Sequence, residues 1–297
     1  MTTLSVSESE TRLLDVLRSF PRVAVAYSGG VDSAVVAKAA VLAKGDDAVA
    51  ITADSPSVPR TELASAIKLA AEIGIRHHVV STDEFSNPDY LQNDGRRCYF
   101  CKSELYSRIE RLLPELGYPT VVSGANLDDL GDYRPGLTAA AEKGIRHPLQ
   151  EAGMGKEAVR ALARHWNLPV WDKPASPCLS SRIAPGLAVT PERTLRVEDA
   201  EAYLKSLGLR DCRVRYHEGD LARVELPLAD LARFAVEPMR SLLSKRLREL
   251  GFKFIVLDLE GLRSGSMNEL IDVKIRRRFE TPSVSQHDSR PTPHDLP

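Results

Sequence analysis

The stretch Val23-Ala24-Val25-Ala26-Tyr27-Ser28-Gly29-Gly30-Val31-Asp32-Ser33 decides the fold. Its apolar first half reads as a buried parallel strand. The strand runs into a Ser-Gly-Gly-x-Asp-Ser turn, and Ala34 to Ala43 follows with strong helix propensity. Gly29 and Gly30 allow a tight turn and let a ligand come close to the backbone. Free N–H groups at the start of such a helix attract an anion. No Lys stands where a Gly-x4-Gly-Lys-Ser/Thr phosphate loop needs one, so the turn is a different anion cradle. Ser28, Gly29, Gly30, Asp32 and Ser33 are its candidate contacts.

Outward from this turn, strands and helices alternate. The patterning predicts helices over Glu8–Ser19, Arg60–Ile73 and Lys102–Leu113, and strands over Arg22–Tyr27, Ala48–Thr52, Arg76–Ser81 and Thr120–Ser123. Such alternation implies an α/β domain with a doubly wound parallel sheet, which binds ligands at the C-terminal ends of its strands. The turns at Ala53-Asp54 and Gly124-Ala125-Asn126 fall at those ends, so Ala53, Gly124 and Asn126 join the candidate nucleotide site.

Asp172 to Gly186 is rich in Pro and Ser and has no periodicity, so it reads as a loop. Beyond it the order changes to helix (Pro191–Leu207), strand (Arg213–His217), strand (Leu221–Leu226), helix (Pro238–Leu250), strand (Phe252–Asp258). This αββαβ order predicts a second, smaller α+β domain. The expected organisation is a nucleotide-binding domain over 1–175, a loop with Cys178 over 176–190, the small domain over 191–275 and a disordered tail over 276–297.

The 297-residue chain carries 40 Lys plus Arg against 41 Asp plus Glu, a net charge of −1, so no broad nucleic-acid surface is expected. No apolar run approaches the ~20 residues of a membrane span. The polar N-terminus is unlike a secretory signal, and a cytoplasmic protein is expected. Four cysteines are too few for a disulfide scaffold, so Cys98-x-x-Cys101 points to metal, cluster or redox chemistry. A zinc site needs four ligands; His77 and His78, the nearest candidates, fall in a predicted strand. Cys178 is flanked by Lys173 and Arg182, and nearby positive charge favours a thiolate. Cys212 reads as a small buried apolar thiol.

The Ser28 turn resembles the loop with which PP-loop ATP pyrophosphatases hold ATP. Five further segments narrow the resemblance: Arg97-Cys98-Tyr99-Phe100-Cys101-Lys102, Asn126-Leu127-Asp128-Asp129, Asp132-Tyr133-Arg134-Pro135-Gly136, Lys173 to Arg182, and Gly261 to Asn268. In this order they resemble the LarE family of ATP-dependent sulfurtransferases in nickel-pincer nucleotide cofactor biosynthesis, over roughly Leu13 to Ile275. The resemblance implies sulfur transfer to pyridinium-3,5-biscarboxylic acid mononucleotide, by carboxylate adenylation and then thiocarboxylate formation. It implies ATP and Mg²⁺, with Asp32 and Cys178 catalytic and Asp128 a candidate Mg²⁺ ligand. In members with one motif cysteine, that residue gives up its own sulfur. Here three are present, and the resemblance implies a [4Fe-4S] cluster on Cys98, Cys101 and Cys178 with one iron open to carry sulfide. Arg134, Arg182, Arg213, Arg215, Arg263 and Ser264 are candidate phosphate or carboxylate contacts. The expected partner is the small-molecule substrate, with the sulfide donor unassigned, no membrane and no nucleic acid expected, and a homo-oligomer compatible with the chain. The alternatives are sacrificial transfer from Cys178, a PP-loop tRNA thiolase, an ammonia-using ligase of the same superfamily, and a cluster carrier regulated by ATP.

Overall fold

A computed structural model describes residues 5–130, 134–174, 176–263 and 265–278. Asp132, Tyr133, Ser264 and the tail beyond Arg278 lie outside the described residues. The first sheet contains β1 (Val23–Ala26), β2 (Ala48–Asp54), β3 (Arg76–Ser81) and β4 (Thr120–Ser123), all parallel, in the order β3-β2-β1-β4. The helices along this part of the chain are α1 (Val6–Arg18), α2 (Val31–Lys44), α3 (Arg60–Ile73), α4 (Pro88–Leu91), α5 (Arg97–Leu116), α6 (Pro135–Glu142), α7 (Pro148–Glu151) and α8 (Lys156–His165). The chain continues through α9 (Pro191–Ser206), β5 (Arg213–His217), β6 (Leu221–Glu225), α10 (Leu228–Ala235), α11 (Met239–Glu249), β7 (Phe254–Leu257) and α12 (Val273–Arg278).

Alternation along β1 and β2 sends side chains to both faces of the sheet. Val23, Val25, Ala48 and Ala50 meet Leu13, Leu17, Val35 and Leu162 on one face. Ala24, Val49 and Ile51 meet Leu105, Tyr106, Ile109 and Tyr118 on the other. This is the two-sided coverage that a parallel sheet requires. Strand β1 is flanked by β2 on one side and β4 on the other, so the switch point of the sheet opens at its C-terminal end.

Local chemistry explains where the elements begin. Helix α1 starts at Val6 rather than Glu8, because Ser5 and Glu8 form a reciprocal capping box. Helix α2 starts at Val31 rather than Ala34, which puts Asp32 and Ser33 in its first turn. Helix α5 starts at Arg97 rather than Lys102, so the cysteine pair is helical and its i, i+3 spacing puts both thiols on one face. Gly74 closes α3 with φ of 82°, the left-handed C-cap that its position implies.

The second sheet, in the order β5-β6-β7, is antiparallel at β5–β6 and parallel at β6–β7. The expected αββαβ order is corrected by α10, whose Leu228–Ala235 stretch follows β6 directly. One face of this sheet packs Val214, Tyr216, Ala222 and Val224 against Val197, Leu204, Leu243 and Leu247. The 176–190 stretch, read from composition as a loop, packs Leu179, Ile183 and Val189 into this core together with Tyr90. Asn93 ties the two segments by donating to the carbonyls of Ile183, Ala184 and Leu187. Among the described residues, no helix is long and apolar enough to cross a membrane.

The β5–β6 turn is clasped by Asp220, which accepts from Lys253 at 2.8 Å, Arg196 at 3.1 Å and the Tyr216 hydroxyl. The Lys253 bond first, then Tyr216, holds the Asp220 carboxyl down to about 2. A depressed carboxyl stabilises the fold above its unfolded pKa of about 4 and loses that contribution as pH falls through its folded value. Asp220→Asn is therefore expected to lower stability at neutral pH and to flatten the loss of stability below about pH 4. Urea titrations of both proteins across the acid range check this.

Candidate functional site

A cavity of about 1010 Å³ opens at the switch point and reaches the second sheet. Its walls include Ser28, Asp32, Ser33 and Gly124 from the first sheet and Arg213, Arg215 and Arg263 from the second half of the chain. Cys98, Lys102 and Arg134 line the space between them.

The Ser28 turn is held by its own side chains. Ser33 Oγ accepts from the Ser28 N–H at 3.2 Å, donates to the Gly30 carbonyl at 3.0 Å and lies 3.1 Å from Ser28 Oγ. Gly29 has φ of 72°, and a Cβ there would stand 2.7 Å from the Ala66 Cβ. Gly124 is tighter still in its consequence: a Cβ there would stand 2.7 Å from the Ser33 backbone nitrogen and 2.9 Å from the Asp32 carbonyl carbon. The glycine thus lets β4's end lie against the start of α2.

Asp32 is held from two sides. Asn126 Nδ2 donates to its Oδ1 at 3.1 Å, and Lys156 Nζ donates to its Oδ2. Asn126 is buried, so it acts on the site through Asp32 rather than by lining the cavity. Asp128, expected to ligate Mg²⁺, instead accepts from the Lys156 backbone N–H at 2.5 Å and packs its carboxylate against Gly155. It caps α8, whereas Asp32 lines the cavity beside the Ser28 turn. Asp129 pairs with Arg134 at 3.0 Å. Ala53 is the last but one residue of β2 and does not line the cavity. Lys156 was not found by sequence reasoning; the Gly155-Lys156 pair at the start of an amphipathic helix was the available signal.

The arginines divide into two groups. Arg213 and Arg215 share a face of β5 and line the cavity as their spacing implies. Burial, then the nearby Arg182, lowers the Arg213 guanidinium below its ordinary value. Arg182 corrects the expectation of an anion contact. It is 1% exposed, bonded to Glu201 at 2.9 Å and to the carbonyls of Pro177 and Cys178, so it holds the Cys178 segment in place. Lys173 is likewise paired with Glu62 at 2.7 Å.

The cations that answer the thiols are instead Arg97 and Lys102. Burial alone would lower the Arg97 guanidinium, but Cys98 and Cys178 outweigh it and hold it above its ordinary value. Burial acts on Lys102 in the same way, and Tyr106, Cys101, Cys98 and Cys178 reverse it. Burial first, then Glu84 and Cys178, pushes the Cys101 thiol well above the ordinary range. The three thiols therefore share one electrostatic neighbourhood with two cations, a donor set whose chemistry suits an iron–sulfur cluster. Among the described residues, no three metal-binding side chains are gathered at ligand spacing. Cys212 is fully buried, and burial followed by Glu201 pushes its thiol up to about 12.

A family model described as NAD synthase matches residues 11–109, which span the Ser28 turn and most of the first sheet. An uncharacterized protein of Synechocystis sp. is 47% identical over 262 residues, covering 87% of this chain and 97% of that protein. Pyridinium-3,5-bisthiocarboxylic acid mononucleotide synthase of Lactiplantibacillus plantarum is 38% identical over 268 residues, covering 90% of this chain and 96% of that protein. The chain belongs to this family, LarE. An uncharacterized protein of Methanocaldococcus jannaschii is 28% identical over 243 residues. The LarE-family chain has the parallel α/β sheet expected of a PP-loop nucleotide-binding fold, with the smaller second sheet beside it.

Gly124→Ala tests the close approach in the LarE-family site. The added methyl meets backbone atoms, which cannot swing aside, so a cost of about 1–3 kcal/mol is expected. Thermal melts with and without MgATP should show a lowered midpoint and a smaller shift on adding nucleotide.

Proposed function

We propose that this chain uses ATP to adenylate a carboxylate of pyridinium-3,5-biscarboxylic acid mononucleotide and then replaces AMP with sulfur. The observation that carries this reading is the single cavity shared by the Ser28 turn, Cys98 and the Arg213–Arg215 pair, in a chain of the LarE family. A carboxylate is a poor electrophile, because its charge repels nucleophiles and oxide is a poor leaving group. Attack of a carboxylate oxygen on the α-phosphorus of ATP releases pyrophosphate and leaves an acyl-adenylate. Attack of sulfur on the acyl carbon then releases AMP and leaves a thiocarboxylate.

The residues divide this work by charge. Backbone N–H groups of the Ser28 turn and the first turn of α2, with the Ser28 and Ser33 hydroxyls, receive the phosphates that become pyrophosphate. Lys156 brings a cation to the same wall through its bond to Asp32. Asp32 offers the hard oxygens that suit Mg²⁺, which would neutralise phosphate charge there. Arg213, Arg215 and Arg263 receive the anionic groups of the mononucleotide. Arg97 and Lys102 bring positive charge to the cysteines, which opposes the burial that holds Cys101 as a neutral thiol. A [4Fe-4S] cluster on Cys98, Cys101 and Cys178 would supply exchangeable sulfide as the sulfur source.

Asp32→Ala is expected to leave the fold intact and slow pyrophosphate release about 100-fold, the size of one lost charge-stabilising contact. Release at saturating MgATP and mononucleotide measures this, and an undiminished rate overturns the assignment of Asp32.

The sulfur source has its own test. Anaerobically reconstituted protein is expected to hold about four irons, and each of Cys98→Ala, Cys101→Ala and Cys178→Ala to reduce that content. Added sulfide should then support repeated turnover. Loss of the mass of H₂S from Cys178, with full activity in the Cys98→Ala and Cys101→Ala variants, would instead show that Cys178 gives up its own sulfur. That outcome removes the cluster and keeps sulfur transfer.

A further inference from the structure

The cavity-facing side of the second sheet contains a carboxylate that no step above uses. Glu225 on β6 is 0% exposed, and both its oxygens are occupied. Oε2 accepts from Arg215 Nε at 3.0 Å and Nη2 at 2.8 Å. Oε1 accepts from the Ser266 hydroxyl at 2.8 Å and pairs with Arg223 Nη2 at 3.2 Å. Arg223 in turn pairs with Asp258 at 2.9 Å, so the two arginines and two carboxylates balance in charge. Arg215 also donates from Nη2 to Ser266 Oγ at 3.3 Å and from Nη1 to the Ser181 carbonyl at 3.3 Å. Of its five N–H groups, the Nη1 pair is the less committed, since Nε and Nη2 are fixed on Glu225 and Ser266. Arg215 is 7% exposed and nevertheless lines the cavity.

A buried ion pair is weak support for stability, because desolvation offsets much of its attraction. One carboxylate oxygen that accepts from both Nε and Nη2 does, however, hold that edge of the guanidinium in place and leave Nη1 on the opposite edge. We propose that Glu225 is a positioning residue for substrate binding: with Ser266 it locks the Arg215 guanidinium so that Nη1 faces the cavity and receives the phosphate of the mononucleotide. The inference rests on the substrate reading above. Arg213, the neighbour on the same face, donates to the Cys212 carbonyl at 2.7 Å. Without Glu225 the Arg215 guanidinium would still carry its charge but would rotate among several directions, which costs entropy on binding.

Calorimetric titration with nicotinic acid mononucleotide, a pyridinium carboxylate that carries the phosphate, and with its riboside, which lacks it, tests the proposal on the full chain. Glu225→Gln is expected to weaken the mononucleotide about tenfold, the size of one impaired charge-assisted hydrogen bond, and to leave the riboside and MgATP unchanged. In an Arg215→Lys background the same substitution should have no further effect, because the edge it positions is gone. Equal affinity of wild type and Glu225→Gln for the mononucleotide, or an equal loss for mononucleotide and riboside, overturns the positioning role. Should Glu225→Gln fail to fold, Ser266→Ala keeps the ion pair and removes one restraint. A smaller phosphate-dependent loss then supports the proposal, and no loss overturns it. Absence of mononucleotide binding by the wild type itself overturns the substrate reading, and the role of Glu225 falls with it.

Discussion

The site depends on one steric constraint, the contact between the end of β4 and the first turn of α2. Gly124 meets the Ser33 nitrogen so closely that no side chain fits between them. The contact follows from sheet order. Because β1 lies between β2 and β4, the loops after β1 and β4 must share the crevice above it. With that approach fixed, Asn126 reaches Asp32 from the β4 side, and α8 delivers Lys156 to the same carboxylate. The start of α2 and Asp32 then form one wall of the cavity, with Lys156 behind the carboxylate and no residue from the second sheet.

The opposite wall is built on a different principle. The second sheet has one apolar face, packed on α9 and α11, and one face crowded with charge. Period-two alternation along β5 puts Val214 and Tyr216 in the core and Arg213 and Arg215 toward the cavity. Such charges are tolerable so near a core because Glu225, Asp258 and Glu201 answer Arg215, Arg223 and Arg182. Of these arginines, Arg182 is fully enclosed and structural, whereas Arg215 is paired with Glu225 and still lines the cavity.

Between the two walls, the cysteines come from distant parts of the chain. Cys98 and Cys101 ride on the first turn of α5, while Cys178 comes from a segment held by Ser57, Arg182 and the packing of Leu179. The Leu179 N–H donates to the Ser57 carbonyl at 2.8 Å, which ties the Cys178 segment to the loop after β2. The 88–101 region and the 178–189 region pack together in the second core. The segments that carry the cysteines are thus part of the scaffold joining the two sheets, not an appendage to either one.

The local sequence by itself determined the strand–turn–helix unit at Ser28, the parallel alternation and the face shared by Arg213 and Arg215. These follow from periodicity, glycine placement and helix capping, which act between residues near one another in the chain. Helix α8 and the short α6 and α10 were not legible, since Pro135, Gly155 and Pro227 at their starts carry no side-chain cap to mark them. Only the tertiary structure decided the state of each charge. Arg182 and Arg215 are both arginines near an expected anion site, yet one is sealed against Glu201 and the other turns toward the cavity. Asp32 and Asp128 both read as hard oxygen ligands, yet Asp128 caps α8 and Asp32 faces the Ser28 turn. The physical reason is that a charged side chain takes its role from the partner that compensates its desolvation. Here those partners stand from 10 residues away, as for Arg215 and Glu225, to 124, as for Asp32 and Lys156.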